Sequence, residues 1–221
     1  MYLWFSGFCL SETQTSTRFK REIKEAGKVI AIIDYGAGNL KSIHKALEKV
    51  GGKVTITSDP EIVESADAIV LPGVGAFETA INNLKPFIDH LVKADVPILG
   101  ICLGMQLFAE ESEEGGLHKG LGVIDGRVIR FPEWVGKIPH MGWNLVKTAE
   151  HPLFEDIDVA YFYFVHSYYF KTDEKNTIGT TEYGLEFASA VAKGNFMGVQ
   201  FHPEKSGKNG LRVLENFVGL I

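Results

Sequence analysis

The chain has 221 residues, 45% apolar and 23% charged, which excludes a disordered, collagen-like or coiled-coil protein and makes one domain the default. Its 22 Lys and Arg against 28 Asp and Glu leave a net charge of -6, which argues against a broad basic surface for nucleic acid. No window approaches the roughly 18 apolar residues needed to span a bilayer, and the apolar opening 1–10 lacks the basic start and small-residue cleavage site of a signal peptide. Only two cysteines are present, Cys9 and Cys102, and reduced thiols in a cytoplasm suit that count.

Residues 1–27 have their own texture: aromatic residues crowd 2–8, Ser and Thr fill 11–17, and charge is dense over 18–25. No helical or strand period persists beyond a short stretch at 19–26, so the segment reads as a flexible N-terminal extension to a domain of residues 28–221. Regular patterning then begins. Residues 28–33 are a β-branched apolar run of the kind buried on both faces of a sheet. Leu40, Ile43, Leu47 and Val50 recur at helical spacing, and Gly51-Gly52 ends that helix. Strands follow at 53–57 and 68–71, the second running into Pro72-Gly73-Val74-Gly75; a helix spans 77–94 with a break expected at Pro86. A strand at 96–101 leads into a helix expected from Leu103 to about Glu111.

Strand and helix alternating at this rate imply right-handed crossovers and a parallel sheet. Beyond Gly115 the runs 123–131, 143–148, 159–170, 177–181, 187–192 and 196–201 are short, strand-like and separated by Gly, Pro, Asn and Asp, before a last helix at 209–218. The fold class is therefore a single α/β domain, its largely parallel central sheet flanked by helices and continued by an antiparallel extension.

Gly100-Ile101-Cys102-Leu103-Gly104, between a buried strand and a helix, has the form of a nucleophile elbow with cysteine in the serine place. The helix start beneath the sulfur favours thiolate; a merely buried structural cysteine is the competing explanation. A base is offered by His202-Pro203-Glu204: in an extended segment residues two apart share a face, so Glu204 can orient His202. The turn Gly73-Val74-Gly75 supplies free amides for an oxyanion, besides being a tight strand-to-helix connection.

A rival signal is Gly36-Ala37-Gly38-Asn39-Leu40-Lys41, with Asp59 after the next strand, which approaches a dinucleotide fingerprint but has Lys41 in the third glycine place. The remaining histidines form no zinc-ligand spacing, so no metal is expected. The aromatic run 161–170 reads as core packing from which His166 and Ser167 reach the site.

Together, Gly100-Ile-Cys-Leu-Gly-Met-Gln106 and Gln200-Phe-His-Pro-Glu-Lys-Ser206 resemble the signature of class I, triad-type glutamine amidotransferases. Asp34-Tyr-Gly-Ala-Gly-Asn39, Pro72-Gly-Val-Gly-Ala-Phe77, Pro139-His-Met-Gly-Trp-Asn144 and Phe164-Val-His-Ser-Tyr-Tyr169 are similar to the branch that serves as glutaminase subunit of imidazole glycerol phosphate synthase. Resemblance covers residues 28 to 221 and leaves 1–27 outside.

It implies Cys102 as nucleophile, His202 as acid and base and Glu204 as its orienter. Gly73, Val74 and Leu103 would then form the oxyanion site, and Gln106, His166, Ser167 and Tyr168 would hold glutamine, with no cofactor. It further implies a (β/α)8-barrel cyclase partner in a heterodimer of histidine biosynthesis, met by Gly36, Asn39, Pro139, Met141 and Trp143. A glutaminase serving another acceptor, a stand-alone cysteine hydrolase and a nucleotide-binding module remain the alternatives.

Overall fold

A computed structural model describes residues 28–221. The readings made of residues 1–27, including the short periodic stretch at 19–26 and the one that involves Cys9, lie outside the described residues. Within them, β1 (Val29–Ile33), β2 (Lys53–Thr57), β3 (Ala68–Leu71) and β4 (Ile98–Ile101) are joined by α1 (Leu40–Lys49), α2 (Pro60–Glu64) and the pair α3 (Phe77–Leu84) and α4 (Ile88–Lys93). Successive strand residues point to opposite faces. Ile30 and Ile32, Ala68 and Val70, and Leu99 and Ile101 enter one core; Ile33, Ile69, Leu71 and Ile98 enter the other. α1 covers the first face through Ile43 and Leu47, joined by α6 (Gly207–Gly219) through Val213, Leu214 and Phe217. α3 and α4 cover the second with Phe77, Leu84 and Leu91. A Leu, Ile or Phe so buried contributes about 1.5–3 kcal/mol, and this explains why these strands read as continuous apolar runs.

Past β4 come α5 (Leu103–Gln106), β5 (Glu111–Ser112), β6 (His118–Lys119), β7 (Arg127–Arg130), β8 (His140–Thr148), β9 (Val159–His166), β10 (Tyr168–Lys171), β11 (Thr177–Glu182), β12 (Glu186–Lys193) and β13 (Phe196–Val199). The sheet runs β2-β1-β3-β4-β13-β12-β10-β7-β5-β6, parallel from β2 to β13 and antiparallel from β13 to β7. β11 leaves this path to join β12 to β8, and β8 pairs along its length with β9. The expected parallel sheet with an antiparallel extension is therefore present. The decisive neighbour is β13: Val199 lies opposite Ile101, so the segment following β13 emerges beside the residue following β4.

Three expectations need correction. The helix after Leu103 stops at Gln106 rather than near Glu111; Phe108 N and Ala109 N donate to carbonyls three residues back, and Leu107, Phe108 and Ala109 are wholly buried. A stretch with no polar face cannot continue as a surface helix. The run 159–170 is not one strand but breaks at Ser167, because β9 pairs with β8 while β10 pairs with β7. The unexpected α2 explains Asp59: its carboxylate caps that helix, accepting from Glu61 N at 2.9 Å, with Pro60 in the first helical position. Among the described residues no helix is long and apolar enough to cross a membrane.

Candidate active site

Cys102 sits at φ 54°, ψ -107°, a backbone region that a non-glycine residue occupies at a cost of about 1–3 kcal/mol. The flanking glycines explain how it is held there. A Cβ on Gly104 would lie 1.9 Å from the Leu71 carbonyl oxygen, and one on Gly100 would lie 2.6 Å from Met105 N. Only hydrogen fits at either place, so the glycines let α5 turn back across the ends of β3 and β4. Gly73 is tied to the same corner, since a Cβ there would lie 2.6 Å from Leu103 Cβ. The sulfur is nearly buried, 3.9 Å from the Val165 carbonyl, and receives the side-chain N–H of Gln200 at 3.6 Å.

His202 is fixed by its backbone. Its N–H donates to Tyr163 O at 2.9 Å; Ser206 Oγ accepts from Tyr163 N at 2.9 Å and donates to His202 O at 2.6 Å. The His202–Glu204 pair does meet, but through a 3-10 turn at Pro203–Lys205 and not through the extended geometry expected. Nδ1 and Glu204 Oε1 are 2.9 Å apart with both side chains buried. A carboxylate only accepts, so Nδ1 carries the proton and Nε2 is left for chemistry. Nε2 is buried and makes no formed hydrogen bond to another described residue, yet the Cys102 sulfur favours a proton on the ring, by hydrogen bonding as well as by charge. Burial pulls the His202 pKa down, but Cys102 and Glu204 outweigh it and raise it to about 9.

Cys102 opens on a cavity of about 340 Å³. Val74, Leu103, Gln106, His166, Ser167 and Tyr168 line it, and Gly75 and Pro139 join them. The amides of Val74 and Leu103 are not taken up by a hydrogen bond to another described residue. A larger hollow of about 740 Å³ runs along residues 148–158, and none of the expected site residues lines it.

Glu114 also lines the cavity, and sequence reasoning missed it. Burial raises its pKa, opposed by the hydrogen bond from Phe77 N, 3.0 Å, and by His118. Gln106 differs from expectation in one respect. Its amide N–H groups are committed to Tyr168 O at 3.0 Å and Gln200 Oε1 at 2.9 Å, which leaves its oxygen for a ligand.

Behind the cavity the β8–β9 register places His140 opposite His166. His166 Nδ1 lies 2.7 Å from Tyr168 O and must donate to it; Nε2 then accepts from His140 Nδ1 at 2.9 Å, and His140 Nε2 accepts from Asn144 Nδ2 at 3.2 Å. Both rings are neutral. Burial lowers His140 to about 4 and His166 to about 3. The alternate residues of β8 face outward: Met141 is 61% and Trp143 55% exposed, beside exposed Tyr161 and Val159. Gly36 and Asn39 are exposed on the loop preceding α1. The buried phenol of Tyr35, on the same loop, donates to Pro72 O and so joins the loop to the Pro72–Gly75 turn.

The model of the glutamine amidotransferase class I family matches residues 31–220. The chain belongs to the class I glutamine amidotransferases. Among its relatives, imidazole glycerol phosphate synthase subunit HisH of Archaeoglobus fulgidus is 57% identical over 195 residues, 87% of this chain and 99% of that protein. The protein of the same name from Methanocaldococcus jannaschii is 54% identical, covering 87% and 100%. Solved structures share the amidotransferase fold. PurLQS from Thermotoga maritima superposes with a TM-score of 0.68 at 18% identity, covering 87% of this chain and 98% of that one. The glutaminase domain of Trypanosoma brucei CTPS with bound acivicin gives 0.61 at 14%, covering 87% and 92%.

Proposed function

We propose that this class I amidotransferase is the glutaminase subunit of imidazole glycerol phosphate synthase, with residues 28–221 as its glutaminase domain, and that it hydrolyses glutamine to glutamate and ammonia for use in histidine biosynthesis. The observation that carries the reading is Cys102, held on a strained elbow at the mouth of a cavity with the His202–Glu204 pair beside it.

In the reaction the Cys102 thiolate attacks the side-chain carboxamide carbon of glutamine. The amide of Val74, on the turn that Gly73 holds against the elbow, and the amide of Leu103, at the start of α5, receive the oxyanion as the tetrahedral adduct forms. His202, protonated at neutral pH because its pKa is raised, gives its Nε2 proton to the leaving nitrogen. Ammonia departs and a glutamyl thioester remains. His202, now neutral, takes a proton from water as that water attacks the thioester, and glutamate leaves with the thiolate restored. Glu204 keeps the ring oriented and compensates the imidazolium. Within the cavity the Gln106 oxygen and the Glu114 carboxylate suit the ammonium end of the substrate, and the bend at His166, Ser167 and Tyr168 lines the same cavity.

Ammonia released into water at neutral pH becomes ammonium and is no longer a nucleophile, so the product is useful only beside an acceptor enzyme. The proposed acceptor is a (β/α)8-barrel cyclase that receives ammonia and makes imidazole glycerol phosphate and aminoimidazole carboxamide ribotide. Gly36, Asn39, Pro139, Met141 and Trp143 are the proposed contacts; Trp143 and Tyr161 are exposed aromatic residues of the kind that anchors interfaces, and Met141 is an exposed apolar residue beside them.

The test pairs the chain with the cyclase. Cys102→Ala and His202→Ala should each abolish glutamine-dependent synthesis while synthesis from ammonium salt persists. Glutamine-dependent turnover surviving Cys102→Ala would overturn the mechanism; a glutaminase that activates no cyclase would overturn the choice of acceptor.

A further inference from the structure

Gln200, the residue immediately after β13, is fully buried, and its backbone N–H donates to Ser189 O at 2.9 Å. The parallel register that sets Val199 against Ile101 brings it level with Cys102. Which end of its amide faces the sulfur follows from a chain of hydrogen bonds. Gln106 Nε2 lies 3.0 Å from the carbonyl of Tyr168, and a carbonyl only accepts, so that nitrogen is correctly placed as the donor. The same nitrogen is 2.9 Å from the other glutamine, so the atom meeting it is the acceptor, Gln200 Oε1. The remaining end of Gln200 is therefore its NH₂, and it lies 3.6 Å from Cys102 Sγ. The orientation is set by a backbone carbonyl two side chains away and does not depend on the sulfur.

We propose that Gln200 is a positioning residue for the nucleophile: its amide N–H holds the Cys102 sulfur on the elbow and stabilises the thiolate over the thiol. A thiolate is the better acceptor, and a donor hydrogen-bonded to it favours the charged form. The relay also ties the sulfur to the cavity wall, since Tyr168 and Gln106 both line the cavity into which the sulfur opens. The proposal rests on Cys102 as nucleophile but asks a separate question, whether a neutral amide sets its ionisation.

The experiment measures the rate of Cys102 alkylation by iodoacetamide against pH in the full chain, with the modified peptide identified by mass so that Cys9 does not contribute. Loss of one hydrogen bond to a charged group should move the midpoint up by about one pH unit in Gln200→Met, a roughly tenfold slower alkylation at pH values below the parental midpoint. Gln200→Glu keeps the shape and the bond from Gln106 but replaces the N–H facing sulfur with an oxygen, so its shift should be at least as large; it answers the question where Gln200→Met does not fold.

In the unmutated protein the isotope-labelled side-chain amide resonance of Gln200 should move when Cys102 is alkylated. Parental midpoints in both variants, or an amide resonance unmoved by alkylation, would overturn the proposal. Neither measurement requires glutamine turnover, so failure here is distinct from failure of the glutaminase reading.

Discussion

Two buried histidines, His202 with its Glu204 partner and His166 in the cavity wall, have opposite character. His202 is buried yet has its pKa raised to about 9; His166 is buried and has its pKa lowered to about 3. Desolvation acts on both in the same direction, against charge. What separates them is the chemistry of the partner. Glu204 and the Cys102 sulfur bring negative charge to His202, whereas His166 meets a carbonyl and the acceptor-donor chain of His140 and Asn144, which neutral rings satisfy completely. Burial alone therefore does not mark a catalytic histidine here. In the proposed mechanism one ring carries a proton through the reaction, while the other holds a wall in place.

The largest effect should come from breaking the first environment at Glu204. Glu204→Gln can still accept from Nδ1 but removes the compensating charge, so glutamine turnover should fall by about a thousandfold or more, as for other triads that lose their carboxylate. The alkaline limb of kcat/KM, set near pH 9 by His202 in the parent, should move toward the ordinary histidine value of 6.5. An unmoved alkaline limb in this variant would mean that Glu204 does not hold the charge of His202.

Stability should show the same contrast with opposite slopes. His202 has a folded pKa above its ordinary value, so its contribution is complete below pH 6.5 and is lost as pH rises through about 9, on the order of 3 kcal/mol for the full shift. His166 has a folded pKa below its ordinary value, so the unfolded chain binds the extra proton, and stability falls as pH drops from 6.5 toward 3. Denaturant titrations across pH should thus show a maximum near 6.5 from these groups. His166→Asn should flatten the acid limb by roughly 1 kcal/mol per pH unit while costing about 1–3 kcal/mol at neutral pH from the lost wall bonds. An acid limb as steep as the parent's would assign that slope to the carboxylates instead.

The elbow at Cys102 was legible in the sequence because Gly100 and Gly104 are where a Cβ would strike backbone, and their spacing about Cys102 can be read directly. His202 and Glu204 were legible as a pair, although the turn that brings them together was not, since Pro203 fits an extended residue and the start of a 3-10 turn equally well. Other features depend on pairing between distant strands. No local period links His140 to His166 or Gln200 to Cys102; both follow from sheet register. Glu114 was hidden for a different reason. It stands among Glu110, Glu111 and Glu113, and nothing in that run marks which carboxylate turns inward. The length of the helix after Leu103 was overestimated because apolar residues all round do not distinguish a helix from a buried turn.

The smallest effect, and the most direct on the comparison, should come from giving the second site a charge like that of the first. Asn144 Nδ2 faces His140 Nε2 at 3.2 Å, and the same nitrogen donates to Glu182 O at 2.9 Å. Asn144→Asp places a carboxylate oxygen there, which cannot donate, so His140 Nε2 must acquire a proton to keep the contact. The His140 pKa should then rise from about 4 toward or above its ordinary 6.5, followed by the pH dependence of its ring proton resonances. Stability at neutral pH should change by only about 1 kcal/mol, the new charge pair offsetting the lost bond to Glu182. Glutamine turnover should persist, because the His166 Nδ1 bond to Tyr168 that shapes the wall is untouched. If the His140 resonances titrate as in the parent, partner charge does not govern this site, and desolvation alone would have to explain why the two histidines differ.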